Sequence, residues 1–432
     1  MRKLLIPLIG LGLLPISSVA QFRLPNSPPP TPKLIRAGRL LDVRNGKYVS
    51  DQAIVTEGER IKEVGPWEQA RAHTPKDVIV IDLSKATVLP GLIDCHSHLL
   101  VSMPPQMSGG ESITSAVALM SPEFRTLLGA RNAREYLEAG VTAVRVVGHS
   151  GITGDIALRD GIRSGLVPGP RMQASGRKIT PPGGQAIWLQ PALAKPILEQ
   201  EYVTISGPEE ARKAVRENLA MGANLVKIVI DAGAGPLWKF RYLAPEDVRA
   251  ITEDAHRLGM KVAAHAADKA AIQTAIDAGV DSIEHGFEAT DAQLVQMKDK
   301  GIFLVATDIP DDGVSSPPYK DRLQRALRLG VKIAMGSDLW FPFSGKTYGQ
   351  SALLELGALH AEGMPNADVI RSATVNGAEL MGWSDLMGEI AAGQRADLIA
   401  VSEDPLQDVT SLEHVRFVMK GAEVVRNEFT RN

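Results

Sequence analysis

From about residue 88 to residue 383 the chain repeats one pattern: a short apolar run, then a stretch with apolar residues at helical spacing. The apolar runs fall at 88–93, 142–147, 171–174, 225–229, 261–264, 282–283, 302–305 and 332–335. The stretches between them, such as 208–221, 245–258 and 292–300, keep the period of an amphipathic helix. Strands that are apolar on both faces and alternate with helices imply a parallel sheet covered on both sides. Eight such units in about 300 residues suit a closed (β/α)8 barrel. An open doubly wound sheet is the alternative, but no glycine-rich phosphate loop follows an early strand to support it.

The flanks read differently. Residues 53–55 and 78–81 near one end, and 396–401, 415–419 and 423–425 near the other, are β-type runs. Arg44-Asn45-Gly46-Lys47 is a hairpin-turn signal. Residues 21–33 carry Pro25, Pro28, Pro29, Pro30 and Pro32 and read as an extended linker. Before them, Arg2 and Lys3, an apolar stretch from Leu4 to Pro15, and the small residues Ser18-Val19-Ala20 form the pattern of a secretory signal peptide cut after Ala20. A secreted or periplasmic protein with no membrane attachment after cleavage is expected. With Cys95 its single cysteine, the chain can form no internal disulfide. A net charge of -3, with no basic cluster, gives no reason to expect a nucleic-acid partner.

In such barrels chemistry sits where strands end at their carboxyl side. The first run leads into Asp94-Cys95-His96-Ser97-His98. Residues two apart in a strand point the same way, so His96 and His98 face one side and can share a metal. The fourth run holds Lys227, expensive to bury unless something uses it. The fifth ends at His265, the sixth at Glu284-His285-Gly286, and the eighth at Gly336-Ser337-Asp338. Any one of these could be a satisfied core residue. Six such residues at strand ends point to a metal-dependent enzyme.

These residues resemble the amidohydrolase superfamily in its two-metal form with a carboxylated lysine. The segment Pro90-Gly91-Leu92-Ile93-Asp94-Cys95-His96-Ser97-His98 looks like that family's opening signature. Gly388-Glu389-Ile390, Gly393, Ala396-Asp397-Leu398 and Asp404-Pro405-Leu406 look like the chain's return into the family's small β-sandwich. The resemblance implies a sandwich built from residues 34–88 and 384–432 around a barrel at 89–383. More narrowly, Gly169-Pro170-Arg171, Ala174-Ser175-Gly176, Thr180-Pro181-Pro182-Gly183-Gly184, Val226-Lys227-Ile228 and Asn376-Gly377-Ala378 are similar to a branch of imidazolonepropionase-like proteins, Xaa-Pro and Xaa-Arg/Lys dipeptidases and an ochratoxin-hydrolysing amidase. It implies two divalent metal ions, zinc being the first choice for such ligands, with manganese, cobalt and iron also suited. His96, His98 and Asp338 would hold one ion, His265 and His285 the other, and Lys227, carboxylated on its amine, would bridge them. The implied reaction is hydrolysis of an amide bond in a small substrate, such as an Xaa-Pro or Xaa-Arg dipeptide or an N-acyl amino acid, by a hydroxide between the ions, with Asp338 as proton shuttle. A homo-oligomer is also implied.

Two positions depart from that branch: Arg145-Val146 replaces its Arg-Asp, and Gln185 replaces a histidine after the paired glycines. Gln185 can donate and accept hydrogen bonds but carries no charge. Gln185, His149, Arg241 and Tyr242 are therefore the candidate substrate-binding residues, with Lys239 and Trp188 nearby in sequence. His73, His256, His360 and His414 lie away from strand ends and read as structural or solvated. The metal ligands would serve a lactonase or phosphotriesterase equally well, and a noncatalytic scaffold on this fold is the third reading.

Overall fold

A computed structural model of the protein describes residues 30–102, 115–185, 190–231, 242–309 and 317–429. The signal segment and most of the proline-rich stretch lie outside these residues, as do Trp188, Lys239 and Arg241.

Both ends of the chain meet in one seven-stranded sheet. The amino-terminal part supplies β1 (Lys33–Asp42), β2 (Lys47–Glu57), β3 (Arg60–Pro66) and β4 (Ile79–Pro90). The turn between β1 and β2 forms as its residues dictate: the Asp42 carboxylate accepts from the backbone N–H groups of Arg44 and Asn45, and Gly46 takes φ +61°.

The eight barrel strands then follow. The first two are β5 (Leu92–Ser97) and β6 (Val141–Val146). The third is broken into β7 (Arg171–Ala174) and β8 (Lys178–Thr180), with Gly176 at φ +63° between the two pieces. Beside β8 lies β9 (Tyr202–Thr204). The remaining five are β10 (Leu225–Val229), β11 (Lys261–Ala266), β12 (Ser282–His285), β13 (Phe303–Val305) and β14 (Ile333–Ala334). Neighbours pair in parallel. The ring closes through backbone bonds: Asn224 N–H to Ala174 O joins β10 to β7 at 3.0 Å, and Cys95 N–H to Met335 O joins β5 to β14 at 2.8 Å.

The terminal strands β15 (Leu398–Val401), β16 (Phe417–Lys420) and β17 (Glu423–Asn427) complete the first sheet, in the order β17-β16-β15-β4-β1-β2-β3. The first apolar run of the sequence is thus two elements. Its residues 88–90 finish β4, and the barrel strand starts only at Leu92. The pieces β8 and β9, three residues each, were too short to show as apolar runs.

Helices cover the barrel, and their ends are written locally. The helix Pro208–Met221 starts on a proline and stops at Gly222, φ +106°. The helix Asp291–Lys300 carries a Thr290/Gln293 capping box and stops at Gly301. Val226, Ile228, Val262, Ala264, Ile283 and Leu304 join the helices' apolar faces in one large core, while Ile35, Ile54, Leu398 and Phe417 belong to the core of the terminal sheet. Among the described residues no helix is long and apolar enough to cross a membrane.

One glycine sets how closely strands approach the site. A Cβ on Gly336 would stand 2.4 Å from Val305 Cγ1 and 2.7 Å from His96 Cβ. Gly336→Ala must push β14 off His96. The expected cost is about 1–3 kcal/mol in urea unfolding, with reduced metal content in the purified protein. An unchanged midpoint with full metal content would show that the contact is slack.

Candidate metal centre

The carboxyl ends of the barrel strands deliver polar side chains to one place. The ligand atoms of His96, His285 and Asp338 all lie within 4.8 Å of one another. His98 Nε2 is 2.9 Å, and His96 Nε2 3.4 Å, from Asp338 Oδ1. The imidazole of His285 has its centroid 4.6 Å from that of His265 and 5.3 Å from that of His96. Lys227 is buried in the middle of β10, and its charge is felt by His96, His265 and His285. The structure therefore brings His96, His98, His265, His285 and Asp338 to one place, with Lys227, which sits mid-strand rather than at a strand end, buried close enough to act on the histidines.

Their ionisation follows from burial. Burial lowers His96 to about 4 and His285 to about 3, so both rings stay neutral, as a ligand must be. Burial alone would raise the Asp338 carboxyl, but the imidazoles of His96, His98 and His285 outweigh it and hold it well below its ordinary value. Burial pushes the Lys227 amine down to about 8.

Outer partners orient the rings. The Nδ1 of His96 is 2.6 Å from Glu284, and that of His98 is 3.1 Å from Gly148 O, so both present Nε2 inward. His285 Nδ1 meets Thr307 Oγ1 at 2.8 Å. The Glu284 carboxylate is in turn held by the guanidinium of Arg145 at 2.8 Å and by Ser282. Arg145 also donates to Cys95 O at 2.7 Å. On the other side, Asp94 accepts from Ser337 Oγ at 2.6 Å and from the backbone N–H of His96 at 2.9 Å. None of Arg145, Glu284 or Asp94 is singled out by the strand-end rule, although Arg145 and Glu284 are charges inside apolar strands, as Lys227 is.

At the centre the satisfaction is incomplete: Lys227 Nζ is buried with no hydrogen-bond partner among the described residues, His265 Nε2 has only Asp231 at 3.5 Å, and Asp338 Oδ1 faces the imidazole nitrogens of His98 and His96 at 2.9 and 3.4 Å. Unpaired buried polar atoms are costly unless something else meets them. An amine, imidazoles and a carboxylate facing one space form a donor set that fits divalent metal ions. The backbone adds a second sign: His149, His285, Thr307 and Asp338 all take positive φ, at 58°, 71°, 60° and 46°. Such conformations cost non-glycine residues energy and cluster at functional sites.

The candidate substrate residues sit variously. His149 is buried, its ring 5.2 Å from His98 and 4.9 Å from Trp340, which lies 4.6 Å from His98. Its Nε2 meets the amine of Lys178, which also donates to Gln185 Oε1 at 3.2 Å. Tyr242 spends its hydroxyl on Asp268. Arg241 lies outside the described residues. His73 and His256 pair with Glu63 and Asp281 at the surface.

The model of the Amidohydrolase family matches residues 87–425. The chain is similar to the ochratoxinase of Aspergillus niger, 28% identical over 443 aligned residues, covering 91% of this chain and 86% of that one. A solved Xaa-Pro dipeptidase with methionine bound in its active site is 30% identical, with TM-score 0.77, covering 91% of this chain and 99% of that one. A prolidase complexed with N-methylphosphonate-L-proline is 27% identical, with TM-score 0.79, covering 92% and 100%.

The outer partners carry a prediction. Glu284→Gln leaves the Arg145 guanidinium buried without its counter-charge, a loss of about 3–5 kcal/mol in chemical unfolding. It also frees His96, which should weaken metal affinity roughly 10- to 100-fold in competition with a chelator. Wild-type values for both would remove Glu284 from the centre's support.

Proposed function

We propose that this chain, which belongs to the amidohydrolase family, hydrolyses the amide bond of a small dipeptide or N-acyl amino acid at a site built for two divalent metal ions. The observation that carries the reading is that His96, His98, His285 and Asp338 meet at one place, with the His265 ring beside His285 and the buried amine of Lys227 left without a hydrogen-bond partner among the described residues. His96, His98 and Asp338 would hold one ion, His265 and His285 the other, and Lys227 would bridge them as a carbamate. When bound, such ions supply Lewis acidity for the scissile carbonyl and for water.

The residues supply the rest. Asp338 is held well below the ordinary carboxyl value and so is a carboxylate at neutral pH. Its carboxylate can take a proton from the attacking water and return it to the leaving amine. An amine leaves poorly unless protonated, so this return matters more for amides than for esters. Trp340 packs on the ring of His98 and forms part of the wall beside it. The amide substrate class draws support from the similarity to an ochratoxinase and to Xaa-Pro dipeptidases. Residues 1–20 carry an export pattern, and a mature chain starting at Gln21 would work outside the cytoplasm.

The deciding experiment measures metal per chain and assays Xaa-Pro dipeptides, Xaa-Arg dipeptides and N-acyl amino acids beside lactones and phosphotriesters. Two ions with amide turnover are expected. Turnover of lactones or phosphotriesters alone would keep the centre and overturn the substrate. Asp338→Asn should lower kcat by roughly 10²–10⁴-fold while some metal stays bound; near-wild-type turnover would sink its role.

Lys227 gives a pH test. Only the neutral amine reacts with carbon dioxide, and its neutral fraction rises through about pH 8 rather than the ordinary 10.5. Reconstitution of stripped enzyme at equal dissolved carbon dioxide should therefore run faster at pH 8.5 than at pH 6.5, roughly twentyfold by that pKa. A rate that is flat with pH and indifferent to carbon dioxide would exclude the carbamate.

A further inference from the structure

His98 and Asp338 follow different strands, β5 and β14, and yet one hydroxyl reaches the turns that carry both. Tyr348 is buried, and its hydroxyl lies 2.7 Å from Leu339 O, 3.0 Å from Val101 O and 3.1 Å from His98 O. Leu339 is the residue after Asp338, and His98 O belongs to the ligand residue itself. A phenol has one proton to give, so the three carbonyls compete for it, and Leu339 O, the nearest, holds it best.

The hydroxyl is placed from outside the strands. Tyr348 opens the short helix Tyr348–Ala352, which Thr347 caps. Its backbone N–H donates to Glu135 Oε2 at 2.8 Å, and its ring lies 5.8 Å from that of Tyr136. Both of these residues belong to the helix Pro122–Glu138. After Tyr348 comes Gly349, where a Cβ would stand 2.2 Å from Glu135 O, so only glycine lets the two helices sit this close. The longer helix also serves the turn after β5. Asn132 donates to Leu99 O at 2.8 Å, and Arg125 reaches Leu100 O at 3.5 Å. Each carbonyl from His98 to Val101 is thus met by a side chain of one of these helices. Packing alone would be served by a phenylalanine. An oxygen buried among three carbonyls is there for the bonds it makes.

We propose that Tyr348 is a positioning residue: its hydroxyl ties the turn after β5 to the turn after β14 and so sets the gap between His98 Nε2 and Asp338 Oδ1, which is 2.9 Å. The proposal rests on the reading that these two side chains hold one ion together. Two amides report on the two turns. Val101 N–H donates to His98 O at 3.1 Å, and Asp338 N–H donates to His96 O at 2.8 Å.

The first measurement is amide hydrogen exchange on the full-length protein stripped of metal, wild type beside Tyr348→Phe. Loss of the hydroxyl should speed exchange at Val101 and Asp338 together, by roughly 5- to 10-fold. Ile35 in the terminal sheet should keep its rate. Thr347→Ala is the control, because it removes the cap of the same helix and keeps the hydroxyl. Acceleration at one of the two amides alone, or at neither, overturns the tie, and so does equal acceleration in Thr347→Ala. The second measurement is competition with a chelator. Tyr348→Phe should weaken the hold on one ion roughly 10- to 100-fold and leave the other as in wild type. Equal weakening of both ions, or of neither, overturns the positioning role. If wild type binds no metal, the metal reading falls by itself, and exchange at Val101 and Asp338 still decides whether Tyr348 ties the two turns.

Discussion

The ion pair between Arg145 and Glu284 is the fixed point of the barrel interior. Both side chains are wholly buried, and neither could remain there alone, because an unpaired charge in so dry a place costs several kcal/mol. Paired, they join β6 to β12 across the barrel's inside, and Arg145 reaches β5 through Cys95 O. The free lobe of Glu284 then grips His96. The first metal ligand is thus oriented by a charge that is itself held from the opposite wall. Asp94 does the same on the closing side, tying the backbone of His96 to Ser337, the residue before Asp338. Burial raises Asp94 to about 6, and it is Ser337, the backbone of His96 and Tyr136 that limit the rise.

Above this satisfied floor the backbone is strained. His285 ends β12, and Asp338 follows β14, in the left-handed region, where a side chain costs about 1–3 kcal/mol. The surrounding bonds compensate. Asp338 N–H is locked to His96 O at 2.8 Å, and the His285 carbonyl is held by Arg322, which is paired in turn with Asp308. A strand that bends sharply at its last residue turns that side chain into the mouth instead of letting it continue the pleat. This is how His285 reaches the centre although Glu284, its neighbour, points there too.

Which parts of this were legible in the sequence depends on range. Polar residues closing apolar strands are a local signal, and His96, His98, His265, His285 and Asp338 show it. The boundary at Gly91 was not visible, because residues 88–90 and 92–93 are equally apolar and only tertiary pairing sends them to different sheets. Arg145 and Glu284 break the apolar pattern as plainly as Lys227 does. Their meaning lies in meeting each other across 139 residues of chain, a distance no local pattern spans. Lys178 stood hidden between Gly176 and Gly183-Gly184, where a short irregular strand reads as loop.

The mouth of the barrel is electrically uneven, and the unevenness separates structural charges from those left for a ligand. Among the described residues, the sector after β10 and β11 carries Asp231, Asp268 and Tyr242. Its carboxylates are nevertheless met from within: Asp231 by the backbone N–H groups of Ala267 and Asp268, and Asp268 by those of Ala270 and Ala271 at the start of a helix. Tyr242, its hydroxyl on Asp268, completes that closed set. Around β8 Lys178 meets the neutral groups of His149 and Gln185, and burial, with Lys227 nearby, holds its amine well below the ordinary lysine value. Charge already neutralised by its own fold exerts little pull on a ligand, and charge left open exerts much. The bonds that close on Asp231 and Asp268 therefore fix the backbone after β10 and β11 beside the centre.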